Sequence, residues 1–414
     1  MGQPSKEYVM TNEPYMLISA DTHAGGSHAQ YREYLTKAQQ QAFDEWRGGY
    51  RNPSQDHYGN KKARNWDLAI RTEEQNSQGV VGEVIFPNTV PPFYKKPVVT
   101  GTPPRPEDYE LHLVGARVHN RWLKDFCDED PIRRAGVGMI LPHDLDEAIK
   151  DIEFIAKAGL RGGVLLPLIP PDCTWLTPLY DPAWDRVFAA IQDHDLVMNH
   201  HAGQGLPDYG DGVIGQALYS TEFWFYGQAG FRHLLLSGAF ERFPKLKFIV
   251  TESGSAWAAE ALRGLDHVDD VMRAGASGEL VYDSSAWPLK MKPSEYAARN
   301  CYYGASFPSV ADLSGLDLVG EEHILWGNDY PHYEGTFPHN LESLRLTFAG
   351  MPEARRRKIL GLNAAKLYNF DVEALTPLAA KYGPTAAQID QPLPLSEVPD
   401  TGCYLFKNIR KQAA

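Results

Sequence analysis

Cysteine is scarce in this chain. Its 414 residues include four, Cys127, Cys173, Cys301 and Cys403, widely separated and with no Cys-x-x-Cys pair. That spacing argues against a disulfide framework and a thiolate metal site, and it suits a reducing cytoplasm. Long apolar runs are missing as well. None approaches the roughly 18 residues needed to cross a bilayer, and the opening MGQPSKEYVMTNEP lacks the apolar centre of a signal peptide. Positive charge is in deficit: 40 Lys and Arg against 53 Asp and Glu give a formal charge of -13. Nucleic acid is therefore a poor partner, because phosphate binding needs a basic surface. Repeats and low-complexity segments are also absent. The chain reads as soluble, acidic and cytoplasmic, with a small molecule as its partner.

What is present is an alternation of short apolar runs and helical stretches. Eight runs read as strands: 15–21, 80–86, 134–141, 162–166, 196–200, 246–251, 301–305 and 323–327. Each is nearly continuously apolar, as a parallel strand covered on both faces should be. Helices are expected between them, over 144–158 with Asp144 as N-cap, over 182–192, 231–243 and 352–360. Eight such units predict one (β/α)8 barrel spanning residues 1–414; an open doubly wound sheet is the alternative. Two insertions interrupt it, at about 27–79 (including the polar stretch 48–65) and at the proline-rich 88–110, which should pass over the barrel mouth. From about residue 376 the tail is expected to be extended, on the surface or on a neighbouring subunit.

In a barrel of this kind chemistry gathers where strands end. The first run ends in Asp21-Thr22-His23, the fifth in His200-His201, the sixth in Glu252 and the eighth in Asp329. Carboxylates and imidazoles delivered to one rim are the donors that suit Zn²⁺, Mn²⁺ or Fe²⁺. Asp-x-His places two side chains on one strand face. Adjacent His200 and His201 must point opposite ways, and spacing does not choose between them. Taken singly, each residue has a plainer role: Asp329 as a turn residue, Glu252 as a helix cap, one histidine as core.

These motifs resemble the amidohydrolase-related family, whose members are metal-dependent hydrolases and non-oxidative decarboxylases of aromatic or enoic acids. The resemblance rests on ISADTH, NHHAGQG, ERFPKLKFIVTESGSAW, ILWGNDYPHYEGTFP and KILGLNAAKLYNFD, between residues 18 and 371. It implies that Asp21, His23, His201 and Asp329 hold the metal and that Asp329 also handles a proton. The family's second histidine after the first strand is here Gly25, and its sixth-strand histidine is here Glu252. The fourth strand end, GGVLLPLIPP, has no lysine to bridge two metals. One divalent ion is therefore implied, zinc first, with manganese or iron as alternatives. A homodimer is implied as well.

The leading expectation is hydrolysis of a small, aromatic or cyclic substrate through a metal-activated water. Asp329 or Glu252 would move the proton, and His332 would contact substrate or metal. Phe93, Tyr94 and Trp257 are candidates to line an apolar pocket. The first alternative is non-oxidative decarboxylation of an aromatic or enoic acid, with Arg71, Arg232 or Arg263 as the cation holding substrate. The second is a catalytically silent barrel that binds a ligand.

Overall fold

The computed structural model describes residues 13–52, 57, 59, 61–210 and 212–413. Residues 1–12, read in the sequence as lacking the apolar centre of a signal peptide, and part of the polar stretch 48–65 lie outside them. Eight parallel strands follow one another around a single sheet: β1 (Leu17–Ala24), β2 (Val80–Pro87), β3 (Arg134–Met139), β4 (Gly163–Leu165), β5 (Val197–His201), β6 (Lys247–Thr251), β7 (Cys301–Ser306) and β8 (Ile324–Gly327). Backbone hydrogen bonds from Asp329 N–H to Asp21 O (3.0 Å) and from His23 N–H to Tyr330 O (2.7 Å) join the last strand to the first. The sheet is thus a nearly closed (β/α)8 barrel, not an open sheet. Ile18, Val84, Val137, Leu165, Val197, Ile249 and Leu325 form a buried cluster drawn from seven of its strands.

The helices between strands form where the sequence caps them. Asp144 accepts from the N–H groups of Asp146 and Glu147, opening the helix Leu145–Lys157, whose Ala148, Ile152 and Ile155 are buried. Pro182 begins a short 3-10 turn that leads into Asp185–Asp193. The stretch expected as one helix over 231–243 splits into Ala229–Leu236 and Ala239–Arg242, because Gly238 turns left-handed (φ 75°) between them. The helix expected over 352–360 becomes Glu353–Arg357 followed by a wider turn, Lys358–Leu362. There a Cβ on Gly361 would lie 2.0 Å from Met16 O, so glycine lets this turn press against the chain entering β1.

Among the described residues, the first insertion holds four helical segments: His28–Glu33, Lys37–Gly49, Ala63–Asn65 and Leu68–Ser77. In the second, Val99 reaches the barrel cluster that contains Phe86 and Leu165. The extended tail is overturned. It folds into helices Val372–Tyr382, Ala386–Ile389 and Tyr404–Ala413, and Val398, Cys403, Leu405 and Phe406 are buried against the same chain. The apolar positions Leu405, Phe406 and Ile409 share one helical face, which packs beside Phe307 and Leu346.

Candidate metal centre

Ile18 and Ala20 belong to the barrel cluster, so strict alternation would turn Asp21 and His23 outward. A shift of register against β2 between Ser19 and Thr22 reverses the alternation, and Asp21 and His23 turn toward His201 and Asp329 instead. Both lie within β1 and not beyond its end. Behind them Arg71, fully buried, donates to His23 O (2.8 Å) and Thr22 Oγ1 (3.1 Å) while paired with Glu83 at 2.7 Å. Burial opposes the charge of Glu83, but Arg71 overrides it and holds the carboxyl down at about 2.

On β5 the structure chooses between the adjacent histidines. The ring of His200 faces the outer helix, where a Cβ on Gly230 would lie 1.8 Å from it, and stacks edge-on against Phe248. Burial depresses its pKa to about 3. It is a core residue. His201 turns inward, with Nε2 3.4 Å from Asp21 Oδ1. Its Nδ1 donates to Ala202 O at 3.0 Å, which aims Nε2 at that carboxylate. His23 is arranged alike: Nδ1 faces Pro87 O at 3.4 Å, and Nε2 lies 3.3 Å from both Asp21 Oδ1 and Asp329 Oδ1.

Asp329 sits just past β8 in a left-handed conformation (φ 54°), and Glu252 just past β6 in another (φ 56°). Such backbone is rare for residues other than glycine, and it concentrates at functional sites. The four residues Asp21, His23, His201 and Asp329 are each no more than 2% exposed. His332 Nδ1 lies 2.7 Å from Asp329 Oδ1, and its Nε2 lies 3.2 Å from Asn88 Oδ1. Glu252 Oε2 lies 3.5 Å from His201 Nδ1. All six residues singled out in the sequence therefore come together.

Electrostatics separates their states. Burial raises the pKa of Asp21, but His201 and His23 outweigh it and hold the carboxylate ionised. Burial likewise raises Asp329, and His332 and His23 bring it down. His23, depressed by burial, is pushed up to about 9 by Asp21 and Asp329. Glu252 goes the other way: burial, then the charges of Asp329, Asp21 and Glu334, push its carboxyl well above the usual range.

The residues fit a divalent ion. Donor atoms of Asp21, His23 and His201 lie within 4.8 Å of one another, as do those of His23, Asp329 and His332. His23 Nε2 and Asp329 Oδ2 are buried without a hydrogen-bond partner, a state that a shared cation relieves. Two imidazoles and two carboxylates suit zinc, manganese or iron.

Sequence reasoning missed Ser306, whose hydroxyl donates to Asp21 Oδ2, and Asn88, the partner of His332. Both close or follow a barrel strand, which was the available signal. The arginines proposed to hold substrate are committed elsewhere. Arg71 serves β1 and Glu83, Arg232 lies over Phe225, and Arg263 pairs with Glu260. Phe93 packs with Phe43 and Trp46, and Trp257 with Phe231 and Tyr303, so both are packing residues. Tyr94 is buried beside Met139, at the edge of a cleft on the β3–β4 side.

A family model described as amidohydrolase matches residues 110–370. No curated protein matches the chain by sequence. Among solved structures, the chain is similar to the 5-carboxyvanillate decarboxylase LigW from Sphingomonas paucimobilis (22% identity, TM-score 0.62, 86% of this chain and 100% of that one). It is also similar to a dihydroxybenzoic acid decarboxylase from Polaromonas solved with manganese and the inhibitor 2-nitroresorcinol (16%, 0.59, 86% and 97%). A third is an amidohydrolase from Mycobacterium avium subsp. paratuberculosis (16%, 0.64, 86% and 99%).

Proposed function

The chain belongs to the amidohydrolase family, and from that premise we propose that it is a metal-dependent non-oxidative decarboxylase of an aromatic acid. This reading stood second in the sequence. The observation that carries it is Glu252, a third acid buried beside the four donors and outside their set. Aromatic-acid decarboxylases among the structural neighbours support it.

Asp21, His23, His201 and Asp329 would hold one divalent ion, which when bound supplies positive charge for the substrate carboxylate and a neighbouring hydroxyl. We favour zinc or manganese, the second being the ion of the Polaromonas neighbour. Asp329 is ionised and Glu252 is kept protonated, a split that assigns acid and base. Glu252 delivers its proton to the ring carbon that bears the carboxylate. The carbon–carbon bond then breaks, its electron pair returns to the ring, and carbon dioxide leaves. Glu252, now a carboxylate, regains a proton from water. Ser306 fixes the second oxygen of Asp21, and His332 fixes Asp329.

Hydrolysis draws on the same donors, with ionised Asp329 taking a proton from water; that ionised state is what speaks for it. The four free, buried cysteines suit a cytoplasmic protein. The helix Val213–Gly227 exposes Ile214, Leu218 and Phe225 along one face, which suits a second copy of this chain.

The deciding experiment incubates manganese- or zinc-loaded protein with a panel of hydroxybenzoic acids and, separately, with their amides and esters, and measures carbon dioxide and cleaved acid. Release is expected, and Glu252→Gln should remove it by about a hundredfold or more while the ion stays bound. A cleaved acid with an amine or alcohol, without carbon dioxide, would establish hydrolysis. A loaded protein yielding neither, across both product types, would leave the ligand-binding barrel.

A further inference from the structure

Four aromatic residues run along one side of the barrel mouth. Phe223, on the helix Val213–Gly227, lies where a Cβ on Gly203 would meet it at 2.6 Å, two residues after His201. Its ring is 4.8 Å from Trp224. Trp224 is 6.5 Å from Tyr404, and Tyr404 is 5.9 Å from Phe307. Phe307 directly follows Ser306, the residue bonded to Asp21. The rings thus reach from the end of β5 to the end of β7, the two neighbours of β6, at whose end Glu252 lies.

Tyr404 comes from the C-terminal helix, beyond the segment that the amidohydrolase family model matches. Two contacts clamp that helix to the rim. A Cβ on Gly402 would lie 2.2 Å from the ring of Tyr333, the residue after His332. Cys403 and Phe406 are buried on either side of Tyr404, while Tyr404 itself remains 47% exposed. The helix is thus anchored at the rim while the ring of Tyr404 stays open to solvent there.

We propose that the C-terminal helix completes the substrate mouth, with Tyr404 as a specificity-determining residue that stacks, together with Phe307 and Trp224, on a flat aromatic acid. This rests on the decarboxylase reading for the identity of the ligand, and it deepens that reading. Aromatic rings attract one another in offset or edge-on packing beyond the area they bury. An aliphatic ligand of the ion gains nothing from the wall.

The test compares two probes on the full-length, manganese-loaded protein by calorimetry: 2-nitroresorcinol, which is aromatic, and malonate, which is not. Tyr404→Ala should weaken 2-nitroresorcinol roughly tenfold, leave malonate unchanged and leave manganese content unchanged. Tyr404→Phe should restore the parent value, and Trp224→Ala should repeat the loss if the first variant does not fold. Equal binding of 2-nitroresorcinol by parent and Tyr404→Ala overturns the proposal, as does an equal loss of both probes. Failure of the reaction reads differently: aromatic binding that depends on Tyr404, with no carbon dioxide from any acid, keeps the platform and removes the decarboxylation. Carbon dioxide release with Tyr404-independent binding does the reverse.

Discussion

His23 lies between two carboxylates that make a positive charge welcome, and a proton or a metal ion can supply it. In the metal-free protein its pKa of about 9 stands above the roughly 6.5 of an unfolded histidine. The stabilisation it gives is therefore complete below about pH 6.5 and is lost as pH rises through 9. An ion needs the neutral ring, so binding must expel that proton. Calorimetry of manganese binding at pH 7.5, in buffers of different ionisation enthalpy, should show release of about one proton per ion. His23→Asn should bind less metal and release none. His201→Ala should lose the ion, whereas His200→Ala should keep it and lose stability instead. Of the residues in this centre, those with an unusual type at a strand end were legible in the sequence. Ser306 and Asn88 were not, because serine and asparagine at strand ends are common and carry no chemical signal of their own.

At the scale of the element, β1 depends on a support outside the barrel wall. Arg71 and Glu83 are both buried, and removing one partner leaves the other charge unpaired in a dry environment. Glu83→Gln should destabilise the fold by about 3–5 kcal/mol, measured by urea denaturation. Its pKa of about 2 lies below that of an unfolded glutamate, so the parent holds this contribution at neutral pH and loses it as pH falls toward 2. The eight strands were legible because each is a compact apolar run bounded by polar or turn residues. The reach of β1 was not, because Asp21, Thr22 and His23 look like the end of a strand. The register shift that turns them inward leaves no mark in the sequence. The tail was misread for a related reason: the proline-rich PLPLSEVPD suggested a chain without helices, although the helix Val372–Tyr382 before it forms even around Pro377. The amphipathic run at Leu405, Phe406 and Ile409 was the better guide.

For the whole molecule, the remaining question is what covers the outer face of the helix Val213–Gly227. Val213 is 80% exposed and Ile214 74%, and with Leu218 and Phe225 they form an apolar patch of the kind that marks an interaction surface. Light scattering should give twice the chain mass of 46.3 kDa, and Leu218→Glu with Phe225→Glu should return it to that of one chain. The inner face of the same helix carries Phe223 and Trp224, so the doubly substituted protein should also bind aromatic probes less tightly.

The barrel closes where the backbone of Asp21 accepts from that of Asp329. The donor set therefore straddles the seam between the first strand and the last. During synthesis Asp21 and His23 leave the ribosome early, and their counterpart follows some three hundred residues later. A stalled or truncated chain ending before residue 329 holds an incomplete set of donors. On the proposed metal reading, acquisition of the ion is in this way tied to completion of the ring, and metal content in a pool of nascent chains should report how many have closed.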